Sequence, residues 1–171
     1  MLEKNEIKNR DLNREYKRFI GEKKLDYYLT RFERMEAKNT KISFNLCGLI
    51  FSIFWCFYRK MFTWGALLLA YNFILMYVSM RFISTTSVAV SIIFAVLNLL
   101  PAIICGFFGN YLYSKYVHSC IEKSLKMPNL QKEKFYKENG DTSVRITLGI
   151  IVAYFLFSLA LMLSYLPNMQ V

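Results

Sequence analysis

Four apolar runs separated by charged segments dominate the chain after residue 41. They cover residues 42–58, 62–80, 88–113 and 146–166. A helix needs about 20 apolar residues to cross the hydrocarbon core of a bilayer, so the last three runs are long enough. The first run is the shortest, and the third contains Pro101, which predicts a kink or a tilt. The pattern predicts an all-α integral membrane protein with a membrane region over residues 42–113 and a last span over 146–166.

The polar stretches predict amphipathic helices outside the membrane. Within residues 1–41, apolar side chains recur at spacings of three and four, first before Gly21 and again after it. That spacing places one apolar face on each helix, which we expect to pack within the protein. Residues 114–145 continue the third run as a cytosolic helix, broken near Pro128 and followed by a second short helix. Residues 167–171 form a short tail.

The positions of lysine and arginine decide how the first apolar run is interpreted. Of 22 such residues, 12 lie in 1–41, two are Arg59 and Lys60, one is Arg81, and seven lie in 114–145. Positive residues concentrate in the cytoplasmic loops of membrane proteins. If residues 42–58 cross the bilayer, nine of the 22 face outward, whereas only Arg81 does if they return. We therefore predict three transmembrane helices plus a short re-entrant or interfacial helix, with the N-terminus cytoplasmic and the C-terminus outside. Four transmembrane helices are the alternative.

Composition narrows the functional classes. The chain is 55% hydrophobic with a net charge of +10, and the charge lies in the segments assigned to the cytosol. This distribution favours contact with anionic lipid and gives no reason to expect a nucleic acid. The four cysteines form no Cys-x-x-Cys pair and there is one histidine, so we expect neither a metal nor a cofactor.

Two asparagines lie deep in the predicted spans, which carry no acidic or basic residue. Proton pumps and coupled transporters keep ionisable residues at such depths, so the absence of acidic and basic residues from the predicted spans argues against those classes. Asn72 and Asn98 lie about ten residues into consecutive antiparallel helices, and therefore at similar depth. Because an unpaired amide is costly in hydrocarbon, we expect them to contact each other or to share a backbone partner.

Small and aromatic residues suggest further contacts. Small side chains permit close helix approach, and we assign this role to Gly106, Gly109, Asn110, Gly149 and Ala153. The exit of the first apolar run carries residues suited to the level of the lipid headgroups, namely Trp55, Tyr58, Arg59 and Lys60. We expect these four to anchor the segment at the interface or to bind lipid phosphate.

Several of these blocks also resemble a known family. They are Phe19-Ile20-Gly21-Glu22-Lys23, Tyr27-Tyr28 with Phe32, Ser43-Phe44-Asn45, Phe54-Trp55, Tyr58-Arg59-Lys60-Met61 and Gly109-Asn110 with Tyr113. Over about residues 19 to 121 the chain resembles the bacterial membrane proteins catalogued as domain of unknown function 2628. Several members have Trp where this chain has Leu46. The resemblance implies a bacterial membrane protein and supplies no catalytic residues.

Together these observations lead to a functional hypothesis. We expect a non-enzymatic, multi-pass protein of the bacterial inner membrane that acts as a binding or assembly module. Its contacts are with membrane lipid and with a protein partner through residues 1–41. The alternative is a subunit of a homo-oligomeric channel, with Asn72, Asn98 and residues 106–110 near the path. A lipid-handling enzyme using His118 and Glu122 is the third reading.

Overall fold

The computed structural model describes residues 12–82 and 87–165, and the described residues form helices and connecting turns without a strand. The elements are a helix over 12–20 (α1), a 3-10 turn Glu22–Lys24, Leu25–Ala37 (α2), Leu46–Tyr58 (α3), Phe62–Phe82 (α4), Val88–Ser124 (α5), Asn129–Asn139 (α6) and Val144–Tyr165 (α7). Helices α4, α5 and α7 are long and apolar enough to cross a membrane. Residues 1–11 and the predicted tail over 167–171 lie outside the described residues.

Helix α3 has 13 residues, which corresponds to about 20 Å at 1.5 Å per residue. This length is well below the roughly 30 Å of the hydrocarbon core. The described residues therefore contain three helices of spanning length, as the sequence predicted, and α3 is shorter than that length.

Helices α2, α3, α4 and α6 pack against helix α5, whereas α7 packs against α3. The 37 residues of α5 correspond to about 55 Å, nearly twice the thickness of the hydrocarbon core. Its buried residues all follow residue 100: Pro101, Cys105, Gly106, Gly109, Asn110, Tyr113, Val117, Cys120, Ile121 and Ser124. The half before Pro101 exposes apolar side chains, as expected of a helix surrounded by lipid.

Pro101 lies inside α5 without ending it. Proline has no N–H to donate to the carbonyl four residues earlier, which here belongs to Leu97. The hydroxyl of Tyr71, on α4, donates to that Leu97 oxygen at 2.9 Å. A neighbouring helix therefore satisfies the acceptor that proline leaves free, which is how proline is tolerated inside membrane helices.

The N-terminal helices pack on the second half of α5. Gly21, with φ of 88°, separates α1 from the turn that leads into α2. Helix α2 buries Tyr28, Phe32 and Met35, which are spaced as one helical face. The ring of Tyr28 lies 4.7 Å from that of Tyr113 on α5, centroid to centroid. The apolar face predicted for this segment is thus covered within the chain.

A polar network joins α1 to α6. The carboxylate of Glu15 pairs with the ammonium of Lys132 at 2.7 Å and accepts a hydrogen bond from the hydroxyl of Tyr136 at 2.6 Å. Burial opposes the ionisation of Glu15, but these two partners outweigh it and hold its pKa below the ordinary value of 4.5. Nearby, the amide of Asp141 donates to the carbonyl of Phe19 at 2.6 Å. These contacts hold α1, α6 and the start of α7 together.

Helix α3 bends back at its middle. Ser52 has φ of 47° and ψ of −119°, which breaks the helix into two halves. In the first half, Gly48 approaches α5 so closely that a Cβ would lie 2.3 Å from the carbonyl oxygen of Cys105. In the second half, the Sγ of Cys56 lies 3.7 Å from the Sγ of the same Cys105. Both halves of α3 therefore contact Cys105 of α5.

Candidate functional site

A cavity of about 740 Å³ opens between α2, α3 and α7. Its apolar wall comes from the segment before α3, from α3 itself and from the second turn of α7, and consists mainly of Phe44, Leu46, Phe51, Phe54 and Ile151. Its α2 side is basic, because Lys24, Arg31 and Arg59 line it. Among the described residues that line the cavity, none is acidic. A largely apolar cavity with a few convergent polar groups is the usual form of a small-molecule site.

Arg59, at the end of α3, is the central polar residue of this cavity. Its side chain is buried, with 3% of the residue exposed. The Nε and Nη1 atoms are enclosed and have no hydrogen-bond acceptor among the described residues. The described part of the chain also places no carboxylate within 4.0 Å of the guanidinium, since the ion pairs found there involve other residues. Arginine is rarely this buried without an anionic partner.

Three tyrosines surround the Arg59 guanidinium. Its Cζ lies 4.6 Å from the ring centroid of Tyr28, 5.3 Å from that of Tyr113 and 5.6 Å from that of Tyr58. A cation–π contact of this kind stabilises the charged group by roughly 2 kcal/mol when the pair is desolvated. Burial raises the pKa of the Tyr28 phenol and the Arg59 charge opposes that rise, so the phenol stays neutral at physiological pH. The rings therefore hold the cation in position without neutralising it.

The segment before α3 forms part of the cavity wall and is fixed to α5 by its backbone. The amide of Ser43 donates to the carbonyl of Phe107 at 2.9 Å, and the amide of Asn45 donates to that of Gly106 at 2.7 Å. The buried Asn110 donates through Nδ2 to the Oγ of Ser43 at 3.0 Å. This arrangement gives Asn110 a different role from the helix–helix contact expected of it, because it orients an extended segment.

Gly106 and Gly109 provide the room for this approach. A Cβ on Gly106 would lie 2.9 Å from the Cδ1 of Leu49, and one on Gly109 would lie 3.2 Å from the ring of Trp55. The structure therefore places both glycines at the contact between α3 and α5.

The pair Gly149 and Ala153 was expected to form a tight helix crossing, and the structure does not place it at one. Apart from its own helix backbone and its chain neighbours, the described part of the chain places no atom within 4 Å of a Cβ built on Gly149. Ala153 is exposed and lines only a small groove beside Leu69 and Phe73 of α4. The reason is that α7 presents Tyr154, not its small residues, to the neighbouring helices.

Asn72 and Asn98 have different partners, contrary to the sequence-based expectation. The Oδ1 of Asn72 accepts a hydrogen bond from the hydroxyl of Tyr154, on α7, at 2.8 Å. Asn98 is exposed and donates to the carbonyl of Phe94 in its own helix, at 2.8 Å. The two residues have similar depths along their helices but point in different directions around them.

Of the four residues predicted to anchor the chain at the headgroups, three are buried in the protein and Tyr58 is half-buried. Trp55 is 3% exposed and packs on Tyr113. Lys60 is also buried, and its Nζ donates to the carbonyl of Lys137 at 2.7 Å. Burial lowers the pKa of the Lys60 amine, and the charge of Asp141 opposes that effect.

Three of the same four residues line the cavity, namely Trp55, Tyr58 and Arg59. Packing inside the protein positions these residues, and the prediction that the four anchor the segment or bind lipid phosphate stays a prediction. The aromatic partners of Arg59 on α2 and α5 were not predicted, because nothing in their spacing links them to residue 59.

The hypothesis of a lipid-handling enzyme needs His118 and Glu122 to act together, but the ring of His118 has other partners. Its Nδ1 lies 2.7 Å from the carbonyl oxygen of Ser114, so that nitrogen donates, and Nε2 accepts from the hydroxyl of Tyr16 at 2.6 Å. Both ring nitrogens are thus engaged, Nδ1 within α5 and Nε2 in the contact that joins α1 to α5. Within the described ranges, no group of three or more His, Cys, Asp or Glu side chains is placed to hold a metal ion.

Over the described ranges these features define a class: an all-helical protein with three helices of membrane-spanning length and a largely apolar cavity with a basic side. The chain belongs to the family described as Protein of unknown function (DUF2628), whose model matches residues 12–118. That range covers α1 to α4 and most of α5, and includes Arg59 and all three of its tyrosine neighbours. No curated protein and no solved structure matches the chain.

Proposed function

We propose that this protein is a non-enzymatic binding module of the bacterial inner membrane that holds a membrane amphiphile in the cavity between α2, α3 and α7. The cavity itself carries the proposal. It joins a basic side, lined by Arg59, to an apolar wall, and a molecule with a polar head and a hydrocarbon chain matches both.

The mouth of the cavity supports entry from the bilayer. Phe44, Leu46 and Phe51 line the cavity and are each about half exposed, at 47%, 55% and 58%. Large apolar side chains exposed in this way are stable next to hydrocarbon and unfavourable next to water. A ligand that already lies in the membrane reaches the cavity past them without crossing water.

The contacts of the polar segments support a re-entrant α3. The backbone carbonyl of Phe19 accepts a hydrogen bond from the amide of Asp141, and the guanidinium of Arg59 lies over the ring of Tyr28. Groups in direct contact lie on the same side of a bilayer about 30 Å thick, so the N-terminal helices, the end of α3 and the α6–α7 corner share one side. If α3 crossed the bilayer as a fourth span, the N-terminal helices would lie on the opposite side from the end of α3 and the α6–α7 corner.

Charge then gives the orientation. With α3 returning, Arg81 is the one basic residue of the 22 on the far side. The positive-inside rule places the other side in the cytoplasm. The N-terminus is then cytoplasmic and the end of α7 faces outward. Non-helical backbone at membrane depth, as at Ser52, is tolerated where protein surrounds it, and the packing of Gly48 and Cys56 against α5 on either side of Ser52 supports such a position.

Cysteine labelling tests this topology. In a background with Cys47 replaced by alanine, we expect Ser87→Cys to react with a membrane-impermeant maleimide in intact spheroplasts. Leu130→Cys, at a position 85% exposed on α6, should react only after the membrane is disrupted. Four crossings with a cytoplasmic N-terminus predict the reverse pattern for both positions, so that result would reject the re-entrant arrangement.

Photolabelling tests the binding function. The full chain in a neutral detergent is mixed with phosphatidylcholine and phosphatidylglycerol probes that carry the same chain diazirine, and the labelled peptides are identified by mass spectrometry. We expect at least one probe to label the apolar wall around Phe51 and Phe54. Ile151→Trp, which adds bulk to that wall, should remove this labelling.

The matched control is Leu156→Trp, because Leu156 is 63% exposed on the same helix and does not line the cavity. This variant should retain the labelling of α3. Labelling confined to the outer faces of α4, α5 and α7, or labelling of α3 that Ile151→Trp leaves unchanged, would contradict the proposed function.

A further inference from the structure

We propose that the ligand is an anionic phospholipid and that its phosphate binds at the guanidinium of Arg59. This inference rests on the proposed function, since it names the chemical class held by the same cavity. Three independent features of the site support it: the missing partner of Arg59, the sign of the lining charges and the positions of the cations.

The missing partner is the first feature. Taking an ionised side chain out of water is unfavourable by several kcal/mol unless hydrogen bonds and an opposite charge compensate it. Arg59 is 3% exposed, yet two of its nitrogens have no acceptor among the described residues. The phenols of Tyr28 and Tyr113 interact with the guanidinium, but they are neutral, so they leave its charge uncompensated and Nε and Nη1 without an acceptor. An anion that enters the cavity beside Arg59 supplies the missing charge.

The sign of the lining charges is the second feature. Lys24 and Arg31 line the same side as Arg59, and no described lining residue is acidic. The described ion pairs include neither Lys24 nor Arg31, so their charges are also available. Like charges gathered at an apolar cavity repel each other and attract a negative head. The same charges disfavour a head that carries an ammonium group.

The positions of the cations distinguish phosphate from carboxylate. Lys24 and Arg31 belong to α2 and the turn before it, whereas Arg59 follows α3. The phosphodiester of a phospholipid is tetrahedral, and its two unesterified and two ester oxygens point in separate directions, so one group can contact cations from two elements. A planar carboxylate fits one arginine fork. The cavity therefore suits a phosphate head whose acyl chain lies along Phe51 and Phe54.

The test measures ligand-induced stabilisation of the full chain, purified in neutral detergent and depleted of co-purified lipid. The probes are phosphatidylglycerol, phosphatidylcholine, oleate and inorganic phosphate. The variants are wild type, Arg59→Gln and, as a control, Arg81→Gln, because Arg81 is an exposed cation at the far end of α4. We expect phosphatidylglycerol to raise the melting temperature of wild type and Arg81→Gln, with an affinity about 10- to 100-fold weaker for Arg59→Gln.

The other probes separate this inference from the proposed function. Inorganic phosphate should give no shift, because it lacks the chain, and oleate should bind more weakly than phosphatidylglycerol. Equal stabilisation by phosphatidylcholine would overturn the anionic inference and leave the amphiphile site intact. Equal binding by wild type and Arg59→Gln would overturn it as well. If no amphiphile stabilises any variant, both proposals fail.

Discussion

Gly48→Ala is expected to prevent α3 from packing on α5. The added Cβ would lie 2.3 Å from the carbonyl oxygen of Cys105 and 2.9 Å from its carbonyl carbon. Both are backbone atoms of a helix, so they cannot move aside as a flexible side chain does. Overpacking a core commonly costs about 1–3 kcal/mol and more where the backbone resists, and we expect about 3 kcal/mol or more here. Thermal unfolding in detergent, with size-exclusion chromatography of the extracted protein, measures the effect.

The chain offers a matched control at Gly149. That residue is also helical, and a Cβ there meets no described atom within 4 Å apart from its own helix backbone and its chain neighbours. Because alanine favours a helix by about 1 kcal/mol over glycine, Gly149→Ala should melt at the wild-type temperature or slightly above it. If Gly48→Ala melted like Gly149→Ala, α3 would not be seated on α5, and the wall of the cavity would be misplaced with it.

The membrane helices were predictable from the sequence because they depend on one-dimensional properties. The runs 62–80, 88–113 and 146–166 have the length and composition of spans, and the structure has helices of that kind at all three places. The shortness of residues 42–58 was equally visible. The break at Ser52 was not, because a non-glycine residue with positive φ is held there by its surroundings and carries no local sequence signal.

Contacts between helices were harder to predict because they depend on rotation about the helix axis. Counting residues gives depth, and Asn72 and Asn98 have similar depths. Their directions follow from which faces of α4, α5 and α7 meet, and this packing directs Asn72 to Tyr154 and Asn98 outward. Gly106 and Gly149 illustrate the same limit, since both are small but only Gly106 faces another helix.

The candidate site was half predictable. The sequence places two cations, Arg59 and Lys60, directly after an aromatic run, and this pattern predicts either anchoring at the interface or binding of lipid phosphate. The inward orientation of Arg59 could not be predicted, because the rings that hold it come from residues 28 and 113, about 30 and 54 positions away. The long-range fold, not the local pattern, turns a surface anchor into the lining of a cavity.

Arg59→Met is the second substitution for which we expect a large effect, and its direction should depend on the ligand. In lipid-depleted protein the variant removes a buried charge that lacks an anionic partner and keeps an unbranched side chain in its place. Removing the charge is favourable by several kcal/mol, and the lost cation–π contacts offset roughly 2 kcal/mol of that. We expect a net gain in the free energy of unfolding of about 1–3 kcal/mol, seen as a melting temperature several degrees higher.

With phosphatidylglycerol present, the order should reverse, because the ligand stabilises the wild type and no longer binds the variant tightly. Arg34→Met is the control, since Arg34 is exposed on α2 and does not line the cavity, and it should follow the wild type within about 0.5 kcal/mol in both conditions. A loss of stability in lipid-depleted Arg59→Met would mean that the tyrosines make the guanidinium a net stabilising element on its own. Arg59 would then need no ligand, and the energetic argument for an anionic lipid would fail.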